Sequence, residues 1–528
     1  MSDDAPASYA QAPASHPIIN PWIVAVAVML STFMEVLDTT VVNVSLPHIA
    51  GSLSATIDES TWTLTSYLVA NAIILPITGW LANTFGRKRL LTASVAGFTA
   101  ASFLCGLAPN LATLVFFRII QGATGGALQP ISQAVLLEAF PPHERGKAMA
   151  FWGLGIVVAP ILGPVLGGWL TDSYSWRWVF YINIPVGIAS IIMTKLFIFD
   201  PPYIKRSESG IDYWGIGMLA VGIGALQVVL DKGQEVDWFS SSWIVGLAVI
   251  AAVFLVVFVI WEMVVHHPVV DLRVFKQQTY ASGVFLMTVL GFVLYGSLVL
   301  LPIMLQTLLG YPALQAGIAM APRGIGSFLF MPITGMIMSK IDARKILIFG
   351  VAVSAWSLIW LADINLNAGY WDIFWPQFVQ GVGMAFVFVP LTTITMDPIP
   401  KERMGNATSL FNVMRNIGGS IGIATASTLL ARREQVHTNI MTAHVTQYGP
   451  ASSSMLDRLQ AGFVAAGSDP VTAMHRAQAA LFGMVQRQAA MMSFIEIFWW
   501  FGLFFFAVLP LIFLMRRPQT KAGSMAAH

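Results

Sequence analysis

Charge is what this sequence has least of. Only 10% of its 528 residues are Asp, Glu, Lys or Arg, against roughly a quarter in a soluble domain, while 56% are hydrophobic. That composition excludes a soluble globular protein, and with it the usual arithmetic of residues per domain. Cysteine is almost absent too. Cys105 stands alone, so no intramolecular disulfide can form, and its apolar setting beside Gly106 points to helix packing rather than a redox or metal centre. A cleavable signal pattern is missing, because the first 20 residues are polar, with Asp3 and Asp4, and the apolar run after them is too long. The glycine-rich stretches lie inside apolar runs without a Walker pattern, so nucleotide-driven chemistry has no site and no cofactor is expected. No His, Asp and Glu cluster has the spacing of a membrane-embedded lipid enzyme, and both tails are too short for the domain of a sensor. The net charge of +2 decides little by itself, because the placement of the charge carries the information, and no nucleic-acid partner is expected.

What remains is apolar sequence in helix-sized pieces. A bilayer core about 30 Å thick takes roughly 20 apolar residues per helix, and the sequence predicts fourteen, near 22–46, 60–82, 90–107, 111–135, 148–170, 178–199, 213–230, 242–262, 280–305, 313–338, 345–362, 370–393, 404–430 and 491–514. An even number puts both termini on one side. Alternate loops carry Arg87, Lys88 and Arg89; Arg145 and Lys147; Lys205 and Arg206; Arg273 and Lys276; Lys340, Arg344 and Lys345; Lys401 and Arg403; and finally Arg516, Arg517 and Lys521, together 17 of the 28 basic residues. The opposite short loops hold only Arg177 and Lys232, so the termini are predicted to be cytoplasmic. The long external segment 431–490 also has five arginines, but translocated segments of that length escape the charge bias. Rich in Ala, Gln and Met, it is predicted to form amphipathic helices on the outer surface; its His437, His444 and His475 are too scattered to suggest a metal site.

The chain also repeats itself. Pro76-Ile77-Thr78-Gly79 returns as Pro332-Ile333-Thr334-Gly335, Gln121-Gly122 as Gln380-Gly381, and Pro142-His143-Glu144-Arg145 as Pro400-Lys401-Glu402-Arg403. Gly163 to Gly168 is answered by Gly418-Gly419-Ser420-Ile421-Gly422. The expected organisation is therefore a tail at 1–21, a six-helix bundle at 22–199, two inserted helices with linkers at 200–278, a second six-helix bundle at 279–515 and a tail at 516–528. Paired bundles with a site between them are a transporter plan, in which rocking of one half against the other alternates access.

Four motifs then stand in order. The loop after the second helix reads Gly79-Trp80-Leu81-Ala82-Asn83-Thr84-Phe85-Gly86-Arg87-Lys88-Arg89, the fourth helix has Arg118-Ile119-Ile120-Gln121-Gly122, and the fifth has Gly163-Pro164-Val165-Leu166-Gly167-Gly168, preceded by Gly155 and Pro160. The first helix contains Leu37-Asp38-Thr39-Thr40-Val41-Val42-Asn43-Val44-Ser45-Leu46-Pro47. Over about residues 20–515 the chain resembles the major facilitator superfamily, in particular the 14-helix drug:proton antiporter branch (EmrB/QacA subfamily), and within it the inner-membrane pump of tripartite multidrug exporters. Asn83 replaces the acid of the loop motif, which removes the carboxylate of a salt-bridge latch there. The resemblance implies proton-coupled export of hydrophobic or amphipathic toxic compounds across a bacterial inner membrane. It further implies a periplasmic adaptor (membrane fusion protein) and, through it, an outer-membrane channel.

The residues supply candidates. Glu35 and Asp38 are three apart and lie near one helix face; carboxylates so placed can exchange a proton for substrate, with the always-protonated Arg118 as modulator. The alternative is that Asp38 pairs permanently with an arginine or bonds Asn43. Asn43, Trp62, Tyr67, Asn71, Gln121 and Arg415 are candidates for the substrate cavity. Gly79, Gly86, Arg87, Lys88, Gly155, Pro160, Gly163, Pro164, Gly167 and Gly168 are candidates for conformational motifs, small residues allowing close approach and prolines bending the helix. Gln377 stands at the repeat position of Arg118, which concentrates proton handling in the first half. Glu496 is expected at the external boundary, simply hydrated. Export of one endogenous metabolite is the second transport reading.

Overall fold

Several helices begin where a side chain caps them. Asn20 accepts a hydrogen bond from the Trp22 amide with Pro21 in the first helical position, Asn110 accepts from Thr113, Asp342 from Arg344, and Asp469 from both Val471 and Thr472. The computed structural model describes residues 20–200, 212–338, 340–446 and 449–515. Lys205, Arg206, Arg516, Arg517, Lys521 and nearly all of the N-terminal tail lie outside them. The first eight spans are α1 (Pro21–Ser52), α2 (Trp62–Phe85), α3 (Arg87–Leu107), α4 (Leu111–Ala139), α5 (Arg145–Ser173), α6 (Trp178–Phe197), α7 (Tyr213–Lys232) and α8 (Ser242–Val264). They are followed by α9 (Gln278–Thr307), α10 (Ala313–Ile337), α11 (Ala343–Leu361), α12 (Tyr370–Met396) and α13 (Met404–His444), a short external helix α14 (Pro450–Ala465), and the last span α15 (Pro470–Ala507).

Thirteen of these helices are apolar enough to cross a bilayer by hydropathy, and α13 is the fourteenth. Its first turns carry Asn406, Thr408, Ser409, Asn412 and Arg415, all buried among neighbouring helices rather than facing lipid. Where a helix is enclosed by others, polarity ceases to argue against a span. The external segment 431–490 is helical, and most of it continues the spans: α13 runs on unbroken to His444 and α15 starts at Pro470, with α14 between them. At about 1.5 Å per residue, the 41 residues of α13 span about 62 Å, twice the hydrocarbon core, so the helix stands out of the membrane. Ala, Gln and Arg continue a helix in water as well as in lipid, and the first strong breaker is Gly449-Pro450.

Helices α1 to α6 pack among themselves, with α1 against α5 and α4 against α2 and α3. In the second half α9 packs on α13, α12 on α10 and α11, and α15 on α11 and α13. The inserted α7 lies on α2 and touches α13, while α8 rests on α7 and turns Val249, Val256 and Ile260 outward. Four pairs join the halves: α5 with α10 and α2 with α13 most broadly, and α4 with α13 and α5 with α12 beside them. By the charge rule their cytoplasmic ends hold the tightest approach: a Cβ on Gly79 would sit 2.6 Å from the Asn406 Cα, and one on Gly335 would sit 3.0 Å from the Gly146 carbonyl oxygen. Deeper in, Trp152 of α5 is fully enclosed, stacks on Phe388 of α12 with centroids 6.1 Å apart, and donates its indole N–H to Thr32 at 3.2 Å. The halves thus close over the cytoplasmic side.

Gly79→Val is expected to wedge α2 from α13. Overpacking of this kind costs about 1–3 kcal/mol, enough to move a two-state equilibrium about 5–150-fold. The variant should label faster than the parent at a cysteine placed on the cytoplasmic seam of a Cys105→Ser background.

Candidate functional site

Two polar clusters sit inside the apolar bundle. The first is wholly within α1 to α6. Asp38 accepts from Arg118 Nη1 at 2.6 Å, from Gln121 at 3.0 Å and from Asn183 at 2.7 Å. Arg118 also donates to the Gln121 side-chain oxygen at 2.8 Å and, through Nε, to the Thr63 carbonyl at 3.0 Å. Its guanidinium lies over the Tyr67 ring at 4.2 Å. Asp38 and Arg118 are both 0% exposed. A buried ion pair is tolerable only when its remaining lone pairs and protons find partners; here the side-chain amides of α4 and α6 and the Thr63 carbonyl supply most of them, and Arg118 Nη2 is left without one. The arrangement holds α1, α2, α4 and α6 together, and water has no path to the carboxylate without loosening it.

The second cluster lies where the halves meet. Glu35, one turn before Asp38, accepts from Asn71 of α2 at 3.0 Å and from Gln129 of α4 at 2.5 Å. The oxygen of the same Gln129 amide accepts from Arg415 of α13, across the seam. Arg415 has no carboxylate within ion-pair distance among the described residues, and its Nε and Nη1 are buried without a hydrogen-bond partner. Below it on α13, Asn412 donates to Gln133 at 2.7 Å and Thr408 to the Pro130 carbonyl at 3.1 Å, so α4 and α13 meet through a ladder of polar contacts. Glu35 is 14 residues into α1, about 21 Å along it, which is near the middle of the bilayer.

Of the cavity candidates, Tyr67 and Gln121 are drawn into the Asp38 cluster, and Asn71 and Arg415 into the Glu35 cluster. Asn43 and Trp62 join neither. Asn43 is exposed and takes no part in binding Asp38; five residues rotate a helix by about 500°, which leaves it about 140° off the Asp38 face. Trp62 opens α2 at the outer membrane edge, 40% exposed, with Lys232 Nζ 5.8 Å from its ring, the usual place for an interfacial tryptophan. Glu496 is not simply hydrated: Arg433 contacts it at 2.5 Å and His437 at 2.9 Å, and Trp500 donates to it at 3.3 Å. Arg323 is buried in α10 with no carboxylate partner among the described residues.

The conformational candidates also separate. Gly86 has φ +86°, a conformation only glycine adopts easily. The Asp200 carboxylate lies against it and accepts from the Lys88 amide at 2.9 Å, capping α3. Arg87 pairs with Glu138 of α4, inside its own half, so the basic cluster tethers α3 to α4 and the joining of halves falls to Gly79. Lys88 Nζ lies 4.6 Å from the Phe199 ring. In α5, a Cβ on Gly163 would meet Thr40 at 2.0 Å and one on Gly167 the Val41 carbonyl at 2.8 Å, whereas Gly155 faces only the flexible Met29. Gly168 has open space beside it, because one residue turns the helix by about 100° away from the α1 face. The helix continues through Pro160 and Pro164. Gln129, Asn183, Glu138 and Asp200 are functional neighbours that sequence reasoning misses. Their one signal in the sequence is polarity inside or beside an apolar run.

Comparison with known proteins agrees with this architecture. The family model described as the Major Facilitator Superfamily matches residues 28–423. The chain is 40% identical over 499 residues to the multidrug export protein EmrB of Haemophilus influenzae, covering 94% of this chain and 96% of that one. It is also 40% identical over 504 residues to the fatty acid resistance protein FarB of Neisseria gonorrhoeae, with the same coverage. Among solved structures, a double-tryptophan mutant of XylE superposes with a TM-score of 0.61 over 95% of this chain and 97% of that chain at 14% identity, a likeness of fold alone. With two six-helix bundles and two inserted helices, the chain belongs to the Major Facilitator Superfamily and is a multi-pass membrane transporter, not an enzyme, akin to EmrB and FarB.

Proposed function

We propose that this transporter exports hydrophobic or amphipathic compounds in exchange for protons entering the cell, with Glu35 as the group that carries the proton. The observation that carries this reading is the position of Glu35: a carboxylate near mid-membrane, at the seam between the halves and bonded to amides on α2 and α4. Asp38 and Arg118 support it as a fixed charge pair one turn away. Two 40% identical relatives carry the names multidrug export protein and fatty acid resistance protein, and export of amphipathic cargo is consistent with both. Arg415, a buried cation without a carboxylate partner among the described residues, favours acidic headgroups within that range. An imposed pH gradient in proteoliposomes should drive uphill dye transport, and dye movement indifferent to the gradient would refute antiport.

The protein is further read as the inner-membrane member of a tripartite exporter. The external ends of α13 and α15, with α14 between them, are the surface offered to a periplasmic adaptor, which passes cargo to an outer-membrane channel. Joining α13 to α15 by a short linker in place of α14 is expected to leave proton-driven transport in proteoliposomes intact while abolishing drug resistance of intact cells. Full resistance in such cells would remove the adaptor from this surface.

A further inference from the structure

Gln129 occupies a position that no carboxylate or arginine alone could fill. A carboxylate only accepts hydrogen bonds and a guanidinium only donates them. The amide of Gln129 does both: its N–H donates to Glu35 and its C=O accepts from Arg415. The orientation of the amide is thereby dictated by its two neighbours, and its dipole points the favourable way toward each charge. Glu35 belongs to α1 and Arg415 to α13, so one neutral side chain joins the carboxylate of the first half to the cation of the second. Among the described residues Arg415 has no other hydrogen-bond acceptor, since its Nε and Nη1 are unpartnered.

We infer that Gln129 is a positioning residue that couples the protonation of Glu35 to separation of the two halves at the cytoplasmic seam. The inference rests on the reading of Glu35 as proton carrier. With Glu35 charged, the series carboxylate, amide, guanidinium is attractive at every link, and the low-dielectric interior strengthens each one. A proton arriving from the aqueous phase as hydronium forms an O–H on a Glu35 oxygen and leaves water behind. The neutral acid no longer polarises the amide, so its C=O binds Arg415 less strongly and the α4–α13 seam loses its central contact. Thr408 and Asn412 remain below it as neutral contacts of lesser strength. Protonation therefore favours opening toward the cytoplasm, where the proton leaves, and the recharged Glu35 restores the seam. That is the order proton antiport requires.

The charged and titratable groups around Glu35 are consistent with Gln129 as the link. Asp38 stands on its own helix, Tyr67 on α2, Arg118 on α4 and Arg415 on α13. Asp38 and Arg118 satisfy each other. Helices α5 and α6, which also pack on α1, carry charge only at or beside their ends, at Arg145, Lys147 and Asp172 and at Arg177 and Lys195. Arg415 is thus the cation left for Glu35 to act on, and Gln129 is the group between them.

The test uses the full-length protein in proteoliposomes with two probes, ethidium as an amphipathic cation and anilinonaphthalene sulfonate as an amphipathic anion. Dye transport driven by a pH gradient is measured against dye–dye exchange at equal pH, which needs the carrier but no proton step. Gln129→Met keeps the length and removes both hydrogen bonds; Gln129→Asn keeps the amide but is too short to span both partners. Both variants are expected to lose roughly tenfold or more in gradient-driven rate and to flatten its pH profile, with exchange kept within about twofold, a tenfold loss corresponding to a coupling of about 1.4 kcal/mol. A fall in exchange equal to the fall in driven transport would mean a structural role and overturn the inference. So would a wild-type pH profile in both variants. Wild-type protein that exchanges dye but ignores the gradient would instead refute proton antiport itself.

Discussion

Asp38→Asn is expected to destabilise the detergent-solubilised protein by about 3–5 kcal/mol, the usual consequence of removing one partner from a buried ion pair. Arg118 has no second carboxylate to turn to among the described residues. Its partners in the cluster other than Asp38 are the Gln121 side-chain oxygen and the Thr63 carbonyl, and its Nη2 is already without a partner. Arg118→Ala is expected to be similarly damaging, because Asp38 would keep only the amide donors of Gln121 and Asn183. The double variant Asp38→Leu/Arg118→Met removes both charges together and is expected to recover much of the loss, since a well-packed apolar pair can replace a buried ion pair at little net cost. Cys105 offers the readout: it is the single cysteine and is fully buried, so a thiol-reactive dye reports unfolding on heating. A double variant no more stable than the singles would show that Asp38 and Arg118 do not act as a pair.

Glu35→Gln is expected to have the opposite profile, with stability nearly unchanged and gradient-driven transport reduced to the level of protein-free liposomes. The glutamine keeps the shape of Glu35 and an oxygen that can accept from Asn71 or Gln129, but it cannot bind or release a proton. It therefore mimics the protonated acid permanently. Dye–dye exchange at equal pH is expected to continue. If Asp38→Asn behaved in this way and Glu35→Gln did not, the proton would be carried in the first cluster and the second would be only a seam.

Much of the fold was legible because it follows from length and polarity. Apolar runs of about 20 residues and the alternation of basic loops define most spans before any contact is known. The extent of α13 was hidden because helix propensity does not stop at the membrane surface, and its buried polar face made it the one span that hydropathy misses. Within the site, Asp38, Glu35 and Arg118 stand out in the sequence as charges in apolar runs, which are rare and expensive. The residues that complete the clusters do not. Asn183 and Gln129 are uncharged, and they meet Asp38 and Glu35 across 145 and 94 residues of sequence, distances at which no local period operates. Arg415 is visible as a charge, but only packing reveals that it faces α4 rather than an acid of its own half. The loop motif shows the same limit: the loss of the acid at Asn83 could be read, whereas the pairing of Arg87 with Glu138 and the capping of α3 by Asp200 depend on how α4 and the end of α6 fold back.

Antiport through Glu35 is probed without an imposed pH gradient by letting the cargo drive the proton. Proteoliposomes containing the wild-type chain and an internal pH-sensitive dye are given a gradient of ethidium or anilinonaphthalene sulfonate at equal pH on both sides. Protons must then move against the cargo, so the lumen should acidify as cargo leaves and become alkaline as cargo enters, with no such change in Glu35→Gln. Cargo movement without any pH change in the wild type, or an undiminished change in Glu35→Gln, would contradict proton exchange at this carboxylate.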